Sequence, residues 1–448
     1  MIPIIEFQKR SLTGPVMKAD EFDLAFSKRL RELVAEYEIK YDPQMLIADD
    51  KTADAVFKAA VELLADIGLY HMDTERVVKF TREEIEGIAR QYSENPASHT
   101  FGKGKDTCTV SYRTSTDSRP PTLYAGAASV AEEEWFIPFV QSFAQEETIE
   151  AMGIAPGLAK LGDLEPKAGT LSEIYVAQWE QEQIKEVLRR VGRPDMHCGL
   201  LSTVSTVGGT LAMIGPGLRE AHNTQIGVHI IPEQKVDWTR FILSQFCQDR
   251  GIQPWQSSMS MIGGLCRDAA DTAVGLVANM LGQLSYAQGA LCSFFTNHMD
   301  GTWGTRPCQW AYSAAARASE RNIKVCIGGV AAPNMDIWLM EEALIHATAS
   351  ALINTASGMS YLWIGGPSGL DTRFIGEAMK ATAGMEREKV NDLAQKMLAI
   401  MDETQPKEMK FQIPFPDMYD LQTVKPRPDY ESMLLRAKDR LARLGVPY

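Results

Sequence analysis

At 448 residues, 45% apolar and 23% charged, the chain has the composition of a globular protein and exceeds what one small core can organise. A net charge of −13 argues against nucleic acid or an anionic membrane as partner. No run of about 20 uncharged apolar residues is present to cross a bilayer. The seven cysteines show no CxxC spacing, which suits a reducing compartment better than a disulfide framework. The opening MIPIIEFQKRS has no basic stretch before its apolar residues, so the cytoplasm is the expected location.

The first hundred residues read as helical. Residues 20–38 and 51–68 carry apolar side chains at three- and four-residue spacing, and Gly68 stands where a helix C-cap belongs. Thr81 and Glu84 form a capping-box pattern that opens a third helix running to about Tyr92. Residues 95–121 turn polar, with TCTVSYR alternating like a hairpin strand, and read as a cap or an oligomer surface.

From Leu123 the rhythm changes. Candidate strands fall at 123–126, 149–154, 196–204, 225–231, 256–262, 291–296, 323–328 and 359–365. Helical stretches at 171–191, 236–249, 268–287, 307–321 and 335–356 lie between them. Alternating β and α elements imply a parallel sheet, and eight of them imply closure into an α/β, (β/α)8 TIM barrel. An open doubly wound sheet is the runner-up, weakened by the absence of GxGxxG after any strand. The expected division is an N-terminal helical extension over 1–121, the barrel over 122–400, and a C-terminal extended segment with a helix, 430–444, over 401–448.

In such a barrel, chemistry sits at the C-terminal ends of the strands. The residues there are His197, Cys198, Ser202, Thr203 and Ser205 on the third strand, His229 on the fourth and Ser257 on the fifth. The segment NHMDG adds His298 and Asp300, and KVCIGG adds Cys326 and Gly328. His197 and Cys198 are adjacent, so at most one faces the interior. Arg267 and Asp268 read equally well as a helix start. His298 with Asp300 is the strongest polar signal. His229, His298 and Cys326 supply three nitrogen or sulfur donors, the complement of a catalytic zinc, and zinc is carried as a candidate cofactor.

Several segments resemble the monomethylamine:corrinoid methyltransferase family along nearly the whole chain. Asp73-Thr-Glu-Arg-Val-Val-Lys-Phe-Thr-Arg-Glu-Glu-Ile is similar to the family's DTHRIVKYTEDEI. Gly192-Arg-Pro-Asp-Met, His298-Met-Asp-Gly, Thr355-Ala-Ser-Gly and Gly376-Glu-Ala-Met-Lys-Ala-Thr-Ala-Gly-Met-Glu follow in the family's order. The resemblance implies a barrel, a homo-oligomer, and a separate corrinoid-binding protein that docks over the barrel mouth. It also implies that the family's pyrrolysine falls at Gly199, two carboxylates at about Gly227 and at Ser257, and a glutamine at about Cys326.

A glycine at 199 is then expected to enlarge the pocket, with Gly199, His197, Cys198, Ser202, Gly227 and Gly328 lining it. His298, Asp300 and Ser257 are the expected catalytic groups, His298 as acid or ligand with Asp300 orienting it. The expected activity is transfer of a methyl group from a small donor to the Co(I) corrinoid of the partner. An aromatic methyl ether is the first donor class, because phenolate leaves more readily than alkoxide, and a methylated amine the second. The competing readings are a metal-dependent barrel hydrolase or lyase and a catalytically inactive binding homologue.

Overall fold

The computed structural model describes the chain except residues 1, 128, 200–203, 216, 333–338 and 405–413, and for residue 154 the backbone alone. Helices Ile4–Thr13, Ala19–Glu36, Asp50–Ile67 and Arg82–Glu94 make up the N-terminal region. Their ends are where local chemistry sets them. Gly68 closes the third helix at φ +81° with its N–H on the Leu64 carbonyl, a conformation that glycine adopts without strain. Thr81 and Glu84 form a reciprocal box: the Thr81 Oγ1 accepts from Glu84 N at 3.2 Å, and Thr81 N donates to the Glu84 carboxylate at 2.9 Å. The hairpin Ser98–Phe101 with Cys108–Ser111 follows, so the alternation of TCTVSYR marks a true strand.

Seven strands form one parallel sheet among the described residues. Its order is Ala151–Ile154, Thr122–Gly126, Tyr361–Ile364, Cys326–Ala331, Leu291–Phe295, Gln253–Met259 and Gln225–Gly227. The third strand expected from the sequence lies between the two edges. Met152 N donates to the His197 carbonyl at 2.9 Å and Gly199 N to the Met152 carbonyl at 2.8 Å. On the other side Cys198 N donates to the Asn223 carbonyl at 3.0 Å. These bonds close an eight-membered (β/α)8 barrel, so the open doubly wound alternative does not hold.

Strand limits differ from expectation where turn geometry intervenes. The seventh strand begins at Cys326 instead of Ile323, because the helix Arg306–Asn322 runs on to Asn322 and Lys324 turns the chain at φ +59°. The fourth is shorter than 225–231, ending at Gly227. Of the third, Ser202 and Thr203 lie outside the described residues, as do the start of the stretch predicted from Met335 and residues 405–413 of the extended C-terminal segment, whose remainder forms a short helix, Phe415–Met418, and the paired strands Tyr419–Asp420 and Lys425–Pro426.

The barrel is closed at its N-terminal end by the hairpin. Phe101 is fully buried and stacks on His197 with ring centroids 4.0 Å apart. Ala97 N donates to the Lys324 carbonyl at 3.0 Å, and Gly102 N to the His222 carbonyl at 2.7 Å. Residues 95–121 therefore include a plug, where a cap or oligomer surface was expected. Helix Asp50–Ile67 packs outside, against Ala269–Ala287 and Arg306–Asn322. The C-terminal helix Pro428–Leu444 packs on Glu341–Ala356, with Arg440 paired to Glu341 and Glu342. No described helix is long and apolar enough to cross a membrane.

If the plug contributes as this packing implies, Phe101→Ala will cost about 3–5 kcal/mol of stability. The effect is to be read as a lowered thermal or denaturant midpoint.

Candidate functional site

Alternation along the strands sends one set of side chains inward. Toward the N-terminal end, Tyr124, His197, Ser293 and Tyr361 meet. The Ser293 and Tyr361 hydroxyls are 2.8 Å apart, and the Tyr124 ring lies 5.1 Å from Tyr361 and 5.6 Å from His197. The next layer is aromatic: Trp255 and Trp363 are 4.3 Å apart, with Phe295 5.5 Å from Trp363. Nearer the C-terminal ends, His229, Met259, Phe295 and Val330 change from buried to half-buried and form the floor of a mouth.

His229 is the polar centre of that floor. Its Nδ1 lies 2.6 Å from the Ser257 hydroxyl, and its ring stands edge-on to Trp255 at 4.5 Å. A Cβ placed on Gly227 would lie 2.7 Å from His229 Nε2, so the glycine leaves the space that the imidazole occupies. Burial, with the Arg240 guanidinium adding to it, lowers the His229 pKa to about 4. The ring is neutral at pH 7. A cavity of about 280 Å³ adjoins it, lined by Gly227, His229, Thr206, Thr239, Arg240 and Leu243 among others.

The remaining predicted residues separate. His197 faces inward and Cys198 outward from the barrel. His197 contacts Gln225 Oε1 through Nε2 at 3.1 Å and is fully buried beneath the aromatic layer, its pKa lowered to about 3 by burial. It is a packing residue of the barrel centre and does not line the mouth. A Cβ on Gly328 would collide with the Tyr361 ring, so that glycine accommodates an aromatic side chain instead of a ligand. A Cβ on Gly199 would collide with the Gly153 carbonyl. The volume freed at 199 is thus taken by a neighbouring backbone, and the expected enlargement of the pocket there does not occur. Ser202 lies outside the described residues.

His298 and Asp300 reach the rim of the sixth strand but do not pair by hydrogen bond. His298 Nε2 lies 2.8 Å from Thr305 Oγ1, at the cap of the following helix, while Asp300 is exposed and accepts from Thr302 N at 2.9 Å. Asp300 shapes the turn and does not orient the ring.

Cys326 begins its strand at the plugged end. Its thiol donates to the Ala97 carbonyl at 3.2 Å, and burial raises its pKa to about 12. His229 and Cys326 therefore stand at opposite ends of the barrel, and the proposed zinc triad does not assemble. No group of three histidine, cysteine or acidic side chains suited to a metal ion occurs among the described residues. Asp268 caps its helix by accepting from Ala270 N and Asp271 N at 3.0 and 3.1 Å, the structural alternative weighed for it.

Sequence reasoning passed over Trp255 and Trp363, because it searched strand ends for polar groups, although alternation places both inward. It also passed over Glu173. Burial opposes the charge of this carboxylate, but Ser205 N, Thr206 N, the Thr206 hydroxyl and Gly169 N all donate to it at 2.7–2.9 Å, and its pKa is lowered overall. It anchors the loop after the third strand. No local pattern announces that role.

A closed (β/α)8 barrel, sealed at one end and bearing its half-exposed inward side chains at the other, has the construction of a barrel enzyme. The family model of monomethylamine methyltransferase MtmB matches residues 2–446. The chain is 23% identical to the MtmB2 monomethylamine methyltransferase of Methanosarcina acetivorans over 469 aligned residues, covering 99% of this chain and 98% of that one. It is 24% identical to MtmB of Methanosarcina mazei, with the same coverage. The crystal structure of Methanosarcina barkeri MtmB superposes with a TM-score of 0.91 at 22% identity, covering 100% of this chain and 99% of the other. The chain belongs to the monomethylamine methyltransferase MtmB family, a family of methyltransferases.

The histidine environments set a pH dependence. Unfolded histidines titrate near pH ~6.5, whereas His229 and His197 do so at about 4 and 3 when folded. Below pH ~6.5 the unfolded chain binds protons that these two rings refuse, so their contribution to stability falls as pH drops toward 4, opposed by Glu233 and Asp371, whose carboxyls burial raises to about 7. In denaturant unfolding from pH 7 to 4, wild type should lose more stability than His197→Gln, the difference between the two growing as pH falls below ~6.5.

Proposed function

We propose that the protein holds a small methylated donor at the barrel mouth while its methyl group passes to a reduced corrinoid carried by a separate protein. Membership of the methyltransferase family supports the reaction class. The corrinoid supplies a two-electron nucleophile when its carrier is bound. The chain's own part is to bind the donor, orient its methyl group outward and exclude water from it. A floor open to solvent, with Met299, Leu339 and Met340 exposed on the loops that follow the sixth and seventh strands, suits a reactant delivered by a second protein.

The relatives are named for monomethylamine. One observation favours a different donor here: none of the inward-facing positions on the described strands carries a carboxylate. The positions aligned by resemblance with the family's carboxylates hold Gly227 and Ser257, and the nearest titratable side chain, His229, is neutral. The two carboxylates near the cavity are already engaged, Asp237 by the Arg240 guanidinium and Glu173 by the backbone of Ser205 and Thr206, so an ammonium donor finds no free counter-charge and pays several kcal/mol as a desolvated ion. A neutral aromatic methyl ether meets no such penalty, and its ring suits the apolar side chains of Val204, Met213 and Leu243 that line the cavity beside His229. The cavity is at the small end of ligand sites, which run to ~300–1,000 Å³, so a single ring is the expected size. A methylated amine is the second donor class. For that second class, whose leaving amine needs a proton, His298, held by Thr305 at the rim, is the candidate acid.

The test is to mix the protein with free cob(I)alamin and a panel of anisole, 2-methoxyphenol, monomethylamine and trimethylamine, following loss of the Co(I) absorption. The methoxybenzenes are expected to react at least about tenfold faster than either amine. Faster reaction with an amine would overturn the donor class, and donor hydrolysis without corrinoid would favour the hydrolase. Donor binding without turnover would favour an inactive homologue.

A further inference from the structure

We propose that His229 and Ser257 form a neutral hydrogen-bonding dyad in which His229 Nε2–H donates to the departing oxygen of the methyl donor. This rests on the donor class proposed above and assigns the group that assists its reaction.

The dyad's polarity follows from hydrogen-bond accounting. Ser257 is buried, and its hydroxyl has no hydrogen-bond partner other than His229 Nδ1 among the described residues. Buried hydroxyls place their proton on an acceptor, since an unmade bond costs about 1–3 kcal/mol. Nδ1 is the acceptor within reach, so it carries no hydrogen, and in the neutral ring the hydrogen then sits on Nε2. Trp255 packs edge-on against the imidazole, and the Arg240 Nε donates to the His229 carbonyl at 3.1 Å, so both ring and backbone are held. Nε2 stands over Gly227, and His229 lines the 280 Å³ cavity. The Arg240 guanidinium is itself paired with Asp237, so the fixed N–H of His229 beside the cavity is the group that favours an oxygen gaining negative charge.

In the step itself, the methyl carbon bonds to the electron pair of the reduced corrinoid as the carbon–oxygen bond breaks. That bond's electron pair stays on oxygen. The resulting phenolate accepts the Nε2–H hydrogen bond and afterwards takes a proton from water. His229 is the catalytic residue, because it touches the leaving atom, and Ser257 is a positioning residue that fixes the tautomer. Removing a preorganised donor from a developing oxyanion typically costs ~10²–10³ in rate.

Leaving-group dependence is the decisive measurement. With free cob(I)alamin as acceptor, anisole releases a basic phenolate that needs the hydrogen bond, while 4-nitroanisole releases one stabilised by its own ring. His229→Ala should slow anisole demethylation by about a hundredfold or more and 4-nitroanisole by less than about tenfold. His229→Gln, which keeps an N–H donor, should recover part of the anisole rate. Ser257→Ala should fall between wild type and His229→Ala for anisole. Equal slowing of both ethers, or an unchanged anisole rate in His229→Ala, would overturn the assignment.

Nitrogen-15 NMR of histidine-labelled protein gives a readout without turnover. It should show the Nε2–H tautomer for His229 and a shift of that resonance on titration with phenol, absent in Ser257→Ala. Should wild type demethylate neither ether, the donor class fails on its own. The phenol titration then decides the dyad, because an unshifted His229 at saturating phenol overturns it.

Discussion

The structure depends on three backbone hydrogen bonds that carry the His197–Gly199 segment between the strands Ala151–Ile154 and Gln225–Gly227. Without them the sheet would end in two open edges, each with unpaired N–H and carbonyl groups. Residues 153 and 199 are both glycine, and the two backbones approach so closely that a Cβ on Gly199 could not be accommodated. Closure also sets the sense of every inward position. A slip of one residue would turn His197 out and Cys198 in, and would separate His197 from the Phe101 ring that seals the barrel beneath it.

From that constraint the two ends acquire different characters. The N-terminal end is filled by a hairpin, a stacked imidazole and the Cys326 thiol, all buried and bonded within the protein. The C-terminal end rises through Trp255 and Trp363 to a floor of His229, Met259, Phe295 and Val330 that faces solvent. The floor is apolar apart from one imidazole and its serine. Glu173 contributes at a distance, by gathering the backbone of the loop after the third strand onto one carboxylate.

The barrel was legible because eight apolar segments separated by amphipathic helices leave few other architectures, and because Gly68, Thr81 and Asp268 announce helix ends locally. The site was legible in part. His229 and Ser257 were both marked, but as a metal ligand and a separate catalytic residue, since nothing in their 28-residue separation reveals that adjacent strands bring them to 2.6 Å. Cys326 was misassigned because a sequence does not show at which end of its strand a residue lies. The strand starts three residues later than periodicity suggested, which moves the thiol from the mouth to the plug. Gly199 and Gly328 looked like space for a ligand, yet space at a glycine is filled by whatever packs opposite, here the Gly153 carbonyl and the Tyr361 ring. His298 and Asp300 share a short motif, but the turn between them satisfies each one separately.

The close fit between Gly227 and the His229 imidazole couples what the two positions can hold. Residue 227 can bear a side chain only after the ring at 229 has moved or gone, so an acidic group and the imidazole are alternative tenants of one volume. Passage from one to the other needs two changes whose effects do not sum, since introducing either group before the other is removed produces a collision. A side chain introduced at 227 alone would therefore displace the imidazole, whereas a paired exchange at 227 and 229 would avoid that collision.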